Sequence, residues 1–312
     1  MGFKLLTPPL KERPRARVRS SSKWADFLVV LRGNFSLTTL LLFGAVAQTL
    51  ILLIVPYWWA LIFSASILLY RGGHTLLITL KLLPNPYLAG SHAEWASAQL
   101  PNKDGVFSST PASEQVAVLH LGSKYNHPLG IFAPHAAALN DHASNMYRAL
   151  DAASKAHSGY LGGQGWLSYD DQGAAEYTFV SYWRSIDAIH AFAYSPSHRA
   201  GWEWWNSVPK DDIRHLGINH EIFLARPGEW ETIYLNHQPT MLAGTHSWVR
   251  GDKEMGGQVE DSWVTNVVEA KGRLRTSAGR LGWQKEALSE KHRYVPLAAA
   301  GEADDGRDVR RT

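Results

Sequence analysis

The densest chemistry in the chain lies between Ser181 and Asn206. There Ser181-Tyr182-Trp183-Arg184-Ser185 is followed by Ser195-Pro196-Ser197-His198-Arg199 and Gly201-Trp202-Glu203-Trp204-Trp205-Asn206. At about 100° per residue, a helix over this stretch places His198, Trp202 and Trp205 within about 60° of one another. One helix face then carries an imidazole and two indoles, a surface able to enclose a flat or polyunsaturated molecule; the same tryptophans can instead fill a core, with His198 as a satisfied polar neighbour. Six of the 13 tryptophans, Trp166, Trp183, Trp202, Trp204, Trp205 and Trp230, crowd the same region. His220 and His120 each alternate with apolar residues (Ile218 and Ile222; Val116 and Val118), so each stands on one face of a strand. An imidazole so placed can be a base, a haem ligand or a hydrogen-bonded core residue.

Other chemistries lack their residues. The chain has no cysteine, which excludes a thiol nucleophile, disulfides and iron–sulfur clusters. Its 14 histidines include no His-x3-His pair joined to an acidic ligand, the usual start of a zinc or non-haem iron site. Gly162-Gly163-Gln164-Gly165 opens a strand, where a phosphate loop would follow one and open a helix, so it reads as close packing or a bulge. A net charge of +3 over 312 residues gives no reason to expect a nucleic-acid partner.

The elements that must hold these residues can be read from periodicity. Gln115–Leu121 is strand-like, residues 131 to 155 are Ala-rich with helical spacing, and Gly159–Tyr169 and Glu176–Trp183 flank a hairpin loop at Asp170-Asp171-Gln172-Gly173. Ser185 caps a helix that breaks at Pro196 and resumes over Ser197–Asn206; Ile218–Ala225 and Glu231–Leu235 are further strands. The order β-α-β-β-α-β predicts a ferredoxin-like α+β domain over residues 114 to 245. A lone sheet of this kind leaves one face bare, which predicts a homodimer. Residues 84 to 113 read as a polar linker, and 246 to 312 as an extension with a helix at Asp261–Ala270 and a disordered end.

From Asn34 to Tyr70 the chain carries no charge, too long a run for a simple buried helix, so residues 34 to 83 read as a membrane segment. It makes either one span or a hairpin turning at Pro56. The basic residues 1 to 33, with eight Lys and Arg up to Arg32, predict a cytoplasmic N-terminus. A hairpin would also leave Arg71 and Lys81 there, placing the remainder on the cytoplasmic face, of the endoplasmic reticulum in a eukaryote.

Tyr182-Trp183, the following helix, Ser195-Pro196-Ser197-His198-Arg199 and Gly201-Trp202-Glu203-Trp204-Trp205-Asn206 resemble the antibiotic-biosynthesis-type monooxygenases, in particular a fungal branch with an N-terminal membrane segment. The resemblance implies a dimeric α+β barrel with a cavity between sheet and helices. It further implies O2 as co-substrate with no cofactor required, haem being the alternative seen in related branches. On residue type and position it suggests Trp183, His198, Arg199, Trp202 and Asn206; together with the strand reading of His220 and the aromatic cluster, the expected catalytic residues are His198, His220, Arg199 and Asn206, and the expected substrate-binding ones Tyr182, Trp183, Trp202, Trp205 and Trp166. The expected activity is membrane-anchored oxidation of an apolar polyketide- or terpene-derived molecule in secondary metabolism. The alternatives are a haem-dependent oxygenase or dehydratase, and a membrane-tethered carrier.

Overall fold

The computed structural model describes residues 3–14, 28, 31–152, 159–171, 173–251 and 261–283. The apolar run forms two helices, α1 (Leu37–Leu52) and α2 (Tyr57–Thr79), separated at Pro56. Ser36 opens α1 by accepting from the Thr39 N–H at 3.2 Å. No residue of α1 is buried, and in α2 only Ala60 is.

The next elements are β1 (Ala96–Ala98), β2 (Val116–Tyr125), α3 (Ala136–Ala152), β3 (Tyr160–Tyr169), β4 (Ala175–Trp183), α4 (Ile186–Ala193), α5 (Pro196–Ser207), α6 (Lys210–Ile213) and β5 (Leu216–Ala225). Strands β2 to β5 form one antiparallel sheet in the order β3-β4-β2-β5, the ferredoxin-like arrangement expected. The expected helix over 131 to 155 is shorter because a 3-10 turn occupies Gly130–Phe132 and His135 takes φ 62°, which an α-helix cannot include. Ser185 accepts from the Ala188 N–H at 3.2 Å, as its capping role requires, and Ser195 repeats the device for α5. A bulge at Leu161 immediately precedes Gly162-Gly163, the register passing from Tyr160 opposite Trp183 to Gly162 opposite Tyr182.

The sheet's inner face meets the helices. At one end Ala117, Tyr160 and Trp183 pack with Leu150, Ile189 and Phe192; at the other, Tyr125 and Leu216 pack with Ala136, Ile213 and Trp205. The outer face, expected to be bare, is covered at the Val116 end. Val116, Leu161 and Tyr182 lie in one cluster with Ala96, Ala98, Trp230, Leu242 and Ala243.

That cover corrects several expectations. Residues 84 to 113 supply β1, whose three residues are all buried, because the small side chains of Ala96-Ser97-Ala98 fit closely beneath the sheet. Asp261–Ala270 is not a helix: its Trp, Val and Thr residues form two short strands. β6 (His246–Val249) pairs with β7 (Ser262–Thr265), and β8 (Val267–Glu269) pairs with β1. A short helix, α7 (Ser277–Arg280), follows. Glu231–Leu235 makes no strand, since its backbone pairs with β1 at the single bridge Tyr234–Ala96 while the Thr232 hydroxyl takes the Ala98 N–H at 2.6 Å. The expected disordered end, Gly301–Thr312, lies outside the described residues, as does most of the basic run before α1.

The N-terminus is a strap on this body. Leu10 exchanges both backbone bonds with Trp263 (2.7 and 2.8 Å), Leu6 N–H donates to Val267 O at 3.2 Å, and Lys4 pairs with Glu269 at 3.0 Å.

Candidate active site

α5 carries the expected constellation, and its packing sets which way each side chain looks. Gly201 lies against Met146 of α3, and Trp204 stacks on His142 of α3 with ring centroids 5.0 Å apart. Those contacts leave Trp202 on another flank of α5, away from α3. The two elements run side by side in opposite directions: Phe192, just before α5, shares a cluster with Ile222, while Trp205, near its end, shares one with Leu216. The 12 residues of α5 span about 18 Å, and the strand from Ile222 to Leu216 spans about 20 Å, so the lengths match.

Ile218, His220, Ile222 and Leu224 alternate on the inner face of β5. Between the two buried clusters this row stays open at Ile218, 47% exposed, and at His220, also exposed, and it opens again beyond Ile222 at Leu224, 42% exposed. Ile218 and His220 are thus exposed on the helix-facing side of the edge strand, while His198 and Trp202 stand on α5, the helix whose two ends share clusters with Ile222 and Leu216. His198 is half-buried, its ring edge-on to Phe192 at 5.6 Å. Trp202 is 63% exposed.

The remaining expected residues lie elsewhere. Trp205 is part of the core beneath α5. Trp183 is fully buried and donates its Nε1–H to Ser181 Oγ at 2.9 Å, a core role. Tyr182, the next residue back, faces the outer side and is buried under the β1 cover, which pushes its phenol up to about 12. Trp166 sits opposite Thr178, in the outer-face row with Gly122 and Asn219. His120 also faces outward, 3.9 Å from Glu221. Arg199 is exposed and pairs with Glu203 one turn on at 3.6 Å; Asn206 donates back to Trp202 O at 2.8 Å. Among the described residues, no three metal-ligating side chains gather.

Comparison with known proteins fixes the family. The monooxygenase af470-like family matches residues 116–242. Monooxygenase af470 of Aspergillus fumigatus is 30% identical over 282 residues, covering 89% of this chain and 96% of that protein. This chain belongs to the monooxygenase af470-like family. Among solved structures, the cofactor-independent oxygenase SnoaB from Streptomyces nogalater is similar over 36% of this chain and 94% of its own, at 16% identity and a TM-score of 0.23. An aldoxime dehydratase in complex with butyraldoxime is similar over 58% of this chain, at 18% identity and a TM-score of 0.31; the chain spans 41% of that protein. Family membership bears out the resemblance read from Tyr182 to Asn206, and it makes the chain an oxidoreductase, setting the carrier reading aside.

Sequence reasoning about this monooxygenase missed a second polar cluster. Arg13, from the N-terminal strap, lies between the rings of Tyr160 and Trp263, 5.0 Å from each centroid, and donates to Tyr160 O at 2.6 Å. His246 lies nearby on β6; burial, and secondarily the Arg13 charge, push its imidazole down to about 4. No local pattern announces these residues, because they meet only once the strap crosses the sheet end.

Proposed function

We propose that this monooxygenase is membrane-anchored through α1 and α2 and oxidises an apolar, conjugated small molecule of secondary metabolism, polyketide- or terpene-derived, in the groove between α5 and β5. The observation that carries the reading is the open helix-facing side of β5, with Ile218 and His220 exposed, beside a helix that bears half-buried His198 and exposed Trp202. The anchor is supported by α2, long and apolar enough to cross a membrane and left uncovered by the domain.

The chemistry needs no resident cofactor. An imidazole removes a proton from an activated CH2 of the substrate, and the carbanion passes one electron to O2. Recombination of the radical pair gives a hydroperoxide, which loses water to leave a carbonyl, so one oxygen atom enters product and the other leaves as water. Conjugation in the substrate spreads the carbanion charge, and the indole of Trp202 keeps water from it. A homodimer formed through the still-open part of the outer face, around Phe223 and Trp166, belongs to the same proposal.

Oxygen uptake and product mass are the measurements, made with purified, metal-free protein and candidate polyketides or polyenes under 18O2. One labelled oxygen per product, with turnover lowered at least tenfold in a His198→Ala, His220→Ala double variant, is expected. Unchanged turnover in that variant refutes the groove as the site. Activity appearing only after haem addition, with a Soret band lost in His198→Ala or His220→Ala, would establish the haem-dependent alternative.

A further inference from the structure

Both flanks of the apolar pair are held on one body. Before α1, Leu6 and Leu10 of the strap pair with Val267 and Trp263; after α2, Ala96–Ala98 is a strand of the same small sheet as Val267–Glu269. At the root of α1, Asn34 Oδ1 accepts the Ile131 N–H at 2.9 Å, and a Cβ on Gly33 would meet the hydroxyls of Tyr169 and Tyr177 at 3.2 and 3.3 Å. A chain so tied cannot have its strap and its domain on opposite sides of a bilayer.

We propose that α1 and α2 enter and leave the membrane on the domain's own side, and that the domain end around this root rests on the lipid surface. The inference builds on the membrane anchor proposed above. Around the root stand Leu129, Phe132 and Tyr169, 56%, 60% and 47% exposed, the residue types that favour the boundary between headgroups and acyl chains. The occupant of this patch is lipid because the patch is continuous with the start of the uncovered apolar pair. The 23 residues of α2 give about 35 Å, enough to cross the hydrocarbon thickness of about 30 Å, whereas the 16 residues of α1 give about 24 Å, so the Pro56 turn lies short of the far surface. Arg71 lies about 12 Å from the Thr79 end of α2, so its guanidinium snorkels to the near surface, the side on which the domain lies.

The absence of cysteine makes single-cysteine variants of the full chain clean reporters. Lys11→Cys in the strap and Glu229→Cys in the turn that follows β5 are exposed positions outside the proposed groove. In sealed microsomes both should react alike with an impermeant maleimide; reaction of one with detergent-dependent reaction of the other overturns the same-side arrangement. A nitrobenzoxadiazole label on Phe132→Cys should emit at shorter wavelength than one on Glu229→Cys and be quenched severalfold more by nitroxide lipids. Equal quenching removes the lipid seat, and burial of Phe132 without quenching assigns the patch to a protein partner instead. Release of the chain by alkaline carbonate refutes the anchor, and this inference with it, whereas retention with discordant labelling refutes this inference alone.

Discussion

Acid should weaken the fold through His246. In the folded chain its imidazole is neutral down to about pH 4, because burial and the Arg13 guanidinium both oppose the charge, whereas an unfolded histidine titrates near 6.5. Between those values the unfolded state binds a proton that the folded state does not, so stability is whole above pH 6.5 and falls as pH drops toward 4. The linkage amounts to about 2 kcal/mol at pH 5 and about 3 kcal/mol in full. For a domain of this size that is a fall in Tm of about 4–8 °C between pH 7.5 and pH 5. Glu114, raised by burial, works in the opposite direction, and the lowered carboxyls of Glu231 and Glu269 lose their contribution only below their ordinary range. The His246 part is therefore read as a difference. Thermal melts of wild type and His246→Gln in the same micelles should diverge in slope between pH 7.5 and 5, the variant being flatter by about 2 kcal/mol over the window. Arg13→Gln should keep most of the slope, since desolvation is the larger cause. Parallel profiles for wild type and His246→Gln would refute the assignment.

Two glycines of the bulged strand should respond oppositely to alanine. A Cβ at Gly163 would meet Phe179 Cε1 at 2.5 Å and Val180 O at 2.8 Å, so overpacking by about 1–3 kcal/mol outweighs the entropic gain. At Gly165 the nearest atoms are 3.9 Å away, so Gly165→Ala should stabilise by about 0.4–1 kcal/mol; melts in which Gly163→Ala is the more stable variant would contradict this packing. Trp183→Phe removes the bond to Ser181 and should cost about 1–2 kcal/mol with little change in oxygen uptake per folded molecule, unlike Trp202→Ala, which should lower turnover while sparing Tm. Ile218→Glu places a charge on the open groove floor and should raise KM for an apolar substrate at least tenfold with Tm shifted by less than 2 °C, about 0.5 kcal/mol; an unchanged KM would move the site elsewhere.

The ferredoxin-like order was legible because each of its elements carries a local signal. Ser185 caps the helix it was read to open, and the alternation in Ile218–Ala225 fits an edge strand open on its inner face. The outer cover was not legible. β1 is three residues long and its partner β8 lies about 170 positions away, so neither has a period to detect. The same distance hid the roles of Tyr182 and Trp166. Period-two alternation places neighbours Tyr182 and Trp183 on opposite faces, which a motif read as a string of aromatic residues ignores.

The strap and the groove meet in one argument about where substrate arrives. The end of β5 at Leu216 is also the end at which His215 Nε2 lies 2.9 Å from Pro134 O, next to the Gly130–Phe132 turn that receives Asn34. The proposed groove between α5 and β5 would therefore run from the root of α1 outward, with Trp205 and Leu216 at its near end and Ile222 at its far end. A substrate dissolved in lipid would meet the apolar floor before it met bulk water. On the proposed reading, desolvation of a greasy molecule would need no separate step, and the exposure of Ile218, costly on a free surface, would become part of the path along which such a molecule is taken up.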